Sequence, residues 1–367
     1  MRLTCGRPHC VNVIAAWFSG RPDDPGGSSY RQGVAMKVGL AGRGFYGRAD
    51  SSARETLRLA QAHGLDGVFF ASPLHVSATL DMGELRDARA LADDLGLYLE
   101  IGIGRVNPLT AAQEPGVLGC GDGDYRRGME RMIRACHAIG CTDLWCLSGG
   151  DRFSATPPWS EQLQVIQDFL AALAPLAREL GCHLNVETHE DITTFEVVRL
   201  VEAIGPEVMG ITLDIANVIV CGEDPVAATR RVAPYVRQTH VEDFVLSFVE
   251  TGLWRELRPC GAGVIDWEVV LDILGGVAPR LNLSIELHKG QFGLAIFDPE
   301  WLARHPDLSV GELAEIVHLL KTSDEHQEGS PSTARDETDK ERTARLQVNV
   351  DYLRELLRRK GLAEEAA

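Results

Sequence analysis

From residue 36 onward, apolar residues fall into short runs rich in β-branched and aromatic side chains, separated by longer stretches whose apolar positions recur at helical spacing. Eight runs read as strands: Lys37–Ala41, Gly67–Ala71, Leu97–Gly104, Asp143–Ser148, His183–His189, Gly210–Asn217, Val236–Val241 and Leu281–His288. Between them, amphipathic helices are predicted at Ala53–His63, Leu85–Leu95, Arg126–Ile139, Trp159–Leu180, Thr194–Ile204, Pro225–Ala233 and Trp267–Leu274. Strands this apolar suit a parallel sheet covered on both faces, and parallel neighbours require crossovers of about this length. Eight strand–helix units in succession favour a closed (β/α)8 TIM barrel of the α/β class over an open doubly wound sheet. The open-sheet alternative rests on Gly42-Arg43-Gly44-Phe45-Tyr46-Gly47, a chance-level match to a dinucleotide fingerprint with no acidic residue suitably placed after the second strand.

The same patterning divides the chain. Residues 1–35 include the Pro/Gly/Ser/Asp-rich stretch Pro22–Ser29 and read as a disordered extension or an early start, with Met36 opening the first strand. The barrel spans 36–320. Residues 321–343 are polar and low in aromatics, which predicts a flexible insertion. An amphipathic pattern resumes in 344–367, with Val348, Val350, Leu353, Leu356 and Leu357, and predicts a final helix that packs on the barrel or on a second subunit.

Composition narrows the partners. With 36 basic against 53 acidic residues, the formal charge is −17, and such a surface repels phosphate backbones and anionic lipid. Nucleic-acid and membrane partners are therefore disfavoured, and no apolar run reaches the roughly 18 residues of a membrane span. Nine cysteines, odd in number and without a CxxC pair, read as buried reduced thiols of a cytoplasmic protein.

Chemistry concentrates at the ends of the fifth to eighth predicted strands. Glu187 lies in Leu184-Asn-Val-Glu187, Asp214 in Ile211-Thr-Leu-Asp214, His240 in Arg237-Gln-Thr-His240 and Glu286 in Leu283-Ser-Ile-Glu286. Charges in apolar strands are costly to bury without partners, and strand carboxyl ends of a barrel converge on one face. Three carboxylates and one imidazole would form a hard, oxygen-rich site for a divalent metal: Mn²⁺ is favoured, with Mg²⁺, Co²⁺ or Zn²⁺ admissible. The cation would offset the mutual repulsion of the acids. His189 and His288 each fall two residues beyond a proposed ligand, so strand alternation turns them toward the same face as candidate proton carriers or substrate contacts. Asn217 is expected to touch substrate or orient Asp214. Lys289 reads as a substrate contact or a surface lysine. Phe45 and Phe70 read as an apolar wall against a sugar face or as core. In Arg258-Pro-Cys-Gly261-Ala-Gly263, the glycines permit close backbone approach to a ligand and Arg258 offers a fork of donors, unless this is an ordinary turn.

The Glu, Asp, His, Glu series resembles the xylose isomerase-like barrel superfamily, which contains sugar 3-epimerases, inosose dehydratase-like proteins and endonuclease IV. The likeness covers roughly 36–320 and is strongest at Val186–His189, Leu213–Asn217, Thr239–Asp243, Arg258–Trp267 and Ile285–His288. It implies that Glu187, Asp214, His240 and Glu286 bind the metal, that Glu187 and Glu286 also act as acid and base, and that Arg258 contacts substrate oxygens. The chain departs from the pattern at Asn217, where many members carry histidine, and it lacks the extra histidines of a three-metal nuclease.

Three functions follow as expectations. A metal-dependent isomerase or epimerase would act on a ketose or keto-sugar through an enediolate, with Glu187 and Glu286 exchanging protons. A lyase, whether decarboxylase, dehydratase or C-glycoside deglycosylase, would use the same site to break a bond, with His189 and His288 serving the leaving group. A non-catalytic ligand-binding barrel is the third. The partner in each case is a small sugar or polyol, and a homo-oligomer is open.

Overall fold

A computed structural model describes residues 35–42, 52–154, 156–288, 292–326 and 338–363. Nearly all of the N-terminal extension, together with Phe45 and Lys289, lies outside the described residues. The described residues belong to one compact unit, Val34–Ala367.

The eight barrel strands are Lys37–Ala41, Gly67–Phe70, Tyr98–Ile101 continued by Gly104–Arg105, Asp143–Leu147, His183–Glu187, Met209–Asp214, Val236–Val241 and Asn282–Ile285. All pairings among them are parallel, and the eighth strand pairs with both the seventh and the first. Closure falls in the third strand. Its first half pairs with the second strand and its second half with the fourth, and Gly102 N reaches Phe70 O while Ile103 N reaches Trp145 O. No edge remains to be capped, which is the property that separates a barrel from an open sheet.

Local sequence explains the crossovers. Ser52 with Glu55 and Thr193 with Glu196 form reciprocal capping boxes that start the helices Ala53–Ala62 and Thr194–Ile204. The helices bury one apolar stripe, such as Leu57 and Ala60 or Val197, Leu200 and Val201, against the strands.

Two parts of the architecture depart from the sequence reading. An antiparallel sheet sits after the seventh strand: Asp243–Val249 pairs with Gly252–Arg258, which pairs with Phe292–Leu294. The segment 321–343 is not one flexible insertion, because the helix Val310–His326 runs into it and the helix Asp339–Lys360 begins within it. Its polar composition hid a buried Ser323, whose hydroxyl accepts from Leu246 N at 2.8 Å, and a capping box of Thr338 and Glu341. The C-terminal helix packs on the barrel through Leu346, Val350, Leu353, Leu356 and Leu357, and Leu362 O accepts from Met36 N at the start of the first strand.

Candidate metal centre

Each of the four predicted ligands stands at the carboxyl end of its strand. Glu187 and Asp214 are the last residues of the fifth and sixth strands, His240 is one short of the end of the seventh, and Glu286 follows the eighth. Register aligns them, with Asp214 opposite His240 and His240 opposite Ser284. All four are buried, and one donor atom from each lies within 4.8 Å of the others. His240 Nδ1 is 2.6 Å from Glu187 Oε1 and 3.3 Å from Glu286 Oε1. The Phe69 ring meets the His240 imidazole edge-on at 4.6 Å, with Trp145 at 6.3 Å, so packing fixes the ring while the carboxylates engage one nitrogen.

Burial, reinforced by the charges of Glu286 and Glu187, raises Asp214 well above the ordinary carboxylate range. Burial alone would also raise Glu286, but His288 and His240 outweigh it and hold that carboxyl low. For His240, burial opposes charge, yet Glu286 and Glu187 push it up to about 9. The cluster thus draws positive charge strongly. Glu286 Oε2 lies 3.0 Å from His288 Nδ1. Three carboxylate oxygens and one imidazole nitrogen are a donor set that fits a hard divalent cation.

The surroundings reassign several expected residues. Asn217, read as a substrate contact or a support for Asp214, donates to Asp214 Oδ2 at 2.7 Å, while Ala216 N and Asn217 N donate to Asp214 Oδ1. Its amide oxygen accepts from Arg255 at 2.8 Å. This turn ends the sixth strand at Asp214, three residues before the predicted boundary. Arg258, expected to contact substrate oxygens, is paired with Glu256 on its own strand. The buried guanidinium at the centre is Arg255, which faces the opposite side of that strand and was hidden because the hairpin was read as loop. Gly261 and Gly263 serve packing. A Cβ at Gly261 would lie 2.3 Å from the Tyr352 ring of the C-terminal helix, and one at Gly263 would lie 2.2 Å from Asp243 Oδ1. Asp243 itself staples this loop, accepting from Phe244 N, Gly261 N, Ile265 N and Trp267 Nε1. Phe70 is core, and the neighbouring Phe69 faces the centre instead.

The two flanking histidines differ. His189 is held from both sides, with Nδ1 3.0 Å from Asp191 and Nε2 2.5 Å from Glu190. Asp191 is anchored in turn by Ser148 Oγ at 2.9 Å and Gly150 N at 2.6 Å. Burial opposes charge on His189, but these two acids overcome it and raise its pKa. His288 is more exposed and is drawn up to about 10, chiefly by Glu286. Its backbone is tied down, since His288 N donates to Glu242 at 2.7 Å and Arg345 donates to the carbonyls of Leu287 and His288.

A closed (β/α)8 barrel thus carries at its strand carboxyl ends an acid-rich cluster that could hold a metal ion. The chain belongs to the xylose isomerase-like TIM barrel family, whose profile matches residues 57–320. It is 28% identical to the uncharacterised protein YihM of Escherichia coli strain K12 over 109 residues, 30% of this chain and 33% of YihM, and so matches about a third of that relative's length. It is 25% identical over 260 residues to 3-oxo-isoapionate decarboxylase of Pectobacterium atrosepticum, covering 68% of this chain and 85% of the relative. The fold matches a crystal structure of D-psicose 3-epimerase determined in the presence of D-fructose, with a TM-score of 0.55 and 16% identity over 78% of this chain and 99% of that one. No helix among the described residues is long and apolar enough to cross a membrane.

Proposed function

We propose that this chain is a divalent-cation-dependent isomerase or epimerase that acts on a ketose or keto-sugar through an enediolate. The observation that carries the reading is the approach of both Glu187 and Glu286 to one nitrogen of His240, at 2.6 and 3.3 Å. Two carboxylates flanking one point suit the removal of a proton from one position and its return at another. Glu187, Asp214, His240 and Glu286 would hold the cation, Mn²⁺ being favoured; when bound, it would supply Lewis acidity to a carbonyl and its neighbouring hydroxyl. Glu286, held low by His288 and His240, is ionised at neutral pH and is assigned as base. Glu187, protonated from solvent, or water itself would deliver a new proton, and Glu286 would release to solvent the one it took. Asn217 keeps Asp214 in place, and Arg255 braces Asn217 through a further hydrogen bond.

A lyase is a second reading, favoured by the clamp on His189. An imidazolium fixed between Asp191 and Glu190 sets a positive charge beside the donor cluster, where it would favour negative charge developing on a substrate as a bond breaks, and the relative from Pectobacterium atrosepticum is named as a decarboxylase. The test is incubation of the Mn²⁺-loaded protein with a panel of keto-sugars in D₂O, read by mass spectrometry. Deuterium incorporation with conservation of the carbon skeleton supports the isomerase; loss of CO₂, water or an aglycone supports the lyase. Absence of bound metal together with absence of exchange would leave a non-catalytic barrel and overturn both.

A further inference from the structure

Beside the donor cluster, a cavity of about 690 Å³ opens with His189 and Glu190 on its wall. Its size lies in the upper part of the range of about 300–1,000 Å³ typical of pockets for drug-sized ligands, several times what one sugar ring fills. Its wall is unusual for a solvent-facing surface, because two phenylalanines are left open on it: Phe153 is 51% exposed and Phe292 37% exposed. Each ring is backed by a guanidinium, Arg304 lying 5.6 Å from the Phe153 centroid and Arg255 5.1 Å from that of Phe292. The arginines brace the rings, with His305 also 6.2 Å from Phe153, and both rings keep enough open surface to meet a ligand.

The charge of the wall gives an anionic tail no advantage. Asp151, Glu190, Asp191, Asp298 and Glu300 line the cavity against Arg105, Arg152, Arg304 and a His189 whose pKa is raised by its two acidic neighbours. Arg105 is engaged with Gln113 and Glu114 and Arg152 with Glu196, as Asp191 and Glu190 are with His189. Five acids against four cationic groups offer a phosphate no surplus of positive charge here. Open aromatic faces among hydrogen-bonding acids suit a neutral, hydroxylated or aromatic ring.

We infer that the substrate is an unphosphorylated glycoside, a sugar whose second ring, either an aglycone or another sugar, seats against Phe153 and Phe292. This rests on the reading that the first sugar ring is handled at the donor cluster. Arg255 joins the two regions, since it lies 5.1 Å from the Phe292 ring on the cavity wall and donates to Asn217, which in turn holds Asp214 of the donor cluster.

The test is calorimetric titration of the Mn²⁺-loaded full-length protein with D-glucose, phenyl β-D-glucoside and cellobiose. At least one two-ring probe is expected to bind about tenfold tighter than glucose or better. Preference for the phenyl glucoside identifies an aromatic aglycone, and preference for cellobiose a second sugar. The double variant Phe153→Ala/Phe292→Ala is expected to erase the advantage while Mn²⁺ binding persists as a check on folding. Equal affinity for one-ring and two-ring probes, an advantage that survives in the double variant, or no binding of either two-ring probe overturns the inference. Failure of the wild-type protein to bind Mn²⁺ instead overturns the reading beneath it.

Discussion

The two halves of the barrel mouth are made of different chemistry. The fifth to eighth strands end in Glu187, Asp214, His240 and Glu286, whereas the first, second and fourth strands bring Ala41, Phe69 and Trp145 together as a small apolar cluster. One half gathers charge that requires a cation or protons; the other lays an apolar wall of Phe69 and Trp145 against the His240 ring. Removing water from one side strengthens every electrostatic interaction on the other, so the apolar half raises both the cost of the empty cluster and its attraction for a cation.

The largest expected effect comes from the charged half. Glu286→Gln removes a proposed ligand and base, and turnover of the active keto-sugar should fall by about 10²–10⁴-fold, the usual contribution of a positioned base. In the EDTA-treated protein the same change should lower Tm, because it removes a charge that His288 and His240 favour in the folded state. Unaltered turnover with that lower metal-free Tm would mean that Glu286 is only a structural partner of His288 and that the contrast between the halves is false.

A carboxylate outside the cluster isolates the cost of burial from the cost of crowding. Glu223 is 1% exposed and accepts from Thr194 N, Thr194 Oγ1 and Arg231, yet burial raises it from 4.5 to about 7. The folded state therefore holds this proton more tightly than the unfolded chain. The associated stability is fully present below pH 4.5 and is lost as pH rises through about 7. At about 1.4 kcal/mol per tenfold change in proton affinity, the loss is at most about 3–4 kcal/mol. Glu223→Gln should flatten the fall in urea-unfolding free energy between pH 5 and pH 8. An unchanged slope would show that Arg231 keeps Glu223 ionised throughout.

Asn217 tests whether the charged half depends on support from beyond its ligands. Asn217→Ala deletes the 2.7 Å bond to Asp214 and the acceptor for Arg255. Loss of such an outer partner typically weakens metal affinity by about 10–100-fold, and Mn²⁺ titration is expected to show a fall of that size. Wild-type affinity in the variant would assign the orientation of Asp214 to its backbone turn alone.

Much of this was legible in the sequence because the barrel repeats itself. Four acids and imidazoles at matching ends of apolar runs are a pattern that period-two alternation and strand polarity place on one face without any knowledge of long-range packing. The hairpin Asp243–Arg258 was not legible in the same way. It interrupts the strand–helix rhythm, and its Gly252 turn lacks the Asn-Gly or Asp-Gly signal of a tight hairpin. Without the hairpin, Arg255 went unnoticed, since only strand pairing shows that it turns inward to Asn217 while Arg258, on the other side of the strand, pairs with Glu256. The polar 321–343 stretch misled for another reason: low hydrophobicity suggested disorder, while the Thr338–Glu341 capping box marked a helix start that composition cannot register. Phe69 and Phe70 show the limit of strand-end reasoning, because a shift of one residue exchanges core for site.

The apolar half gives the smallest effect and the sharpest test of the comparison. Phe69→Leu keeps a buried apolar group but loses the edge contact with His240, and it should destabilise the protein by only about 1–2 kcal/mol. If the wall acts by shape and exclusion of water while the carboxylates orient the imidazole, Mn²⁺ affinity should stay within a few-fold of wild type. Turnover should then fall by less than about tenfold, through water entering the mouth. Equilibrium Mn²⁺ titration separates this from the alternative. A loss of affinity as large as that in Asn217→Ala would mean that the Phe69 ring, rather than Glu187 and Glu286, aims His240 Nδ1, and the two halves would then be a single ligand-orienting unit.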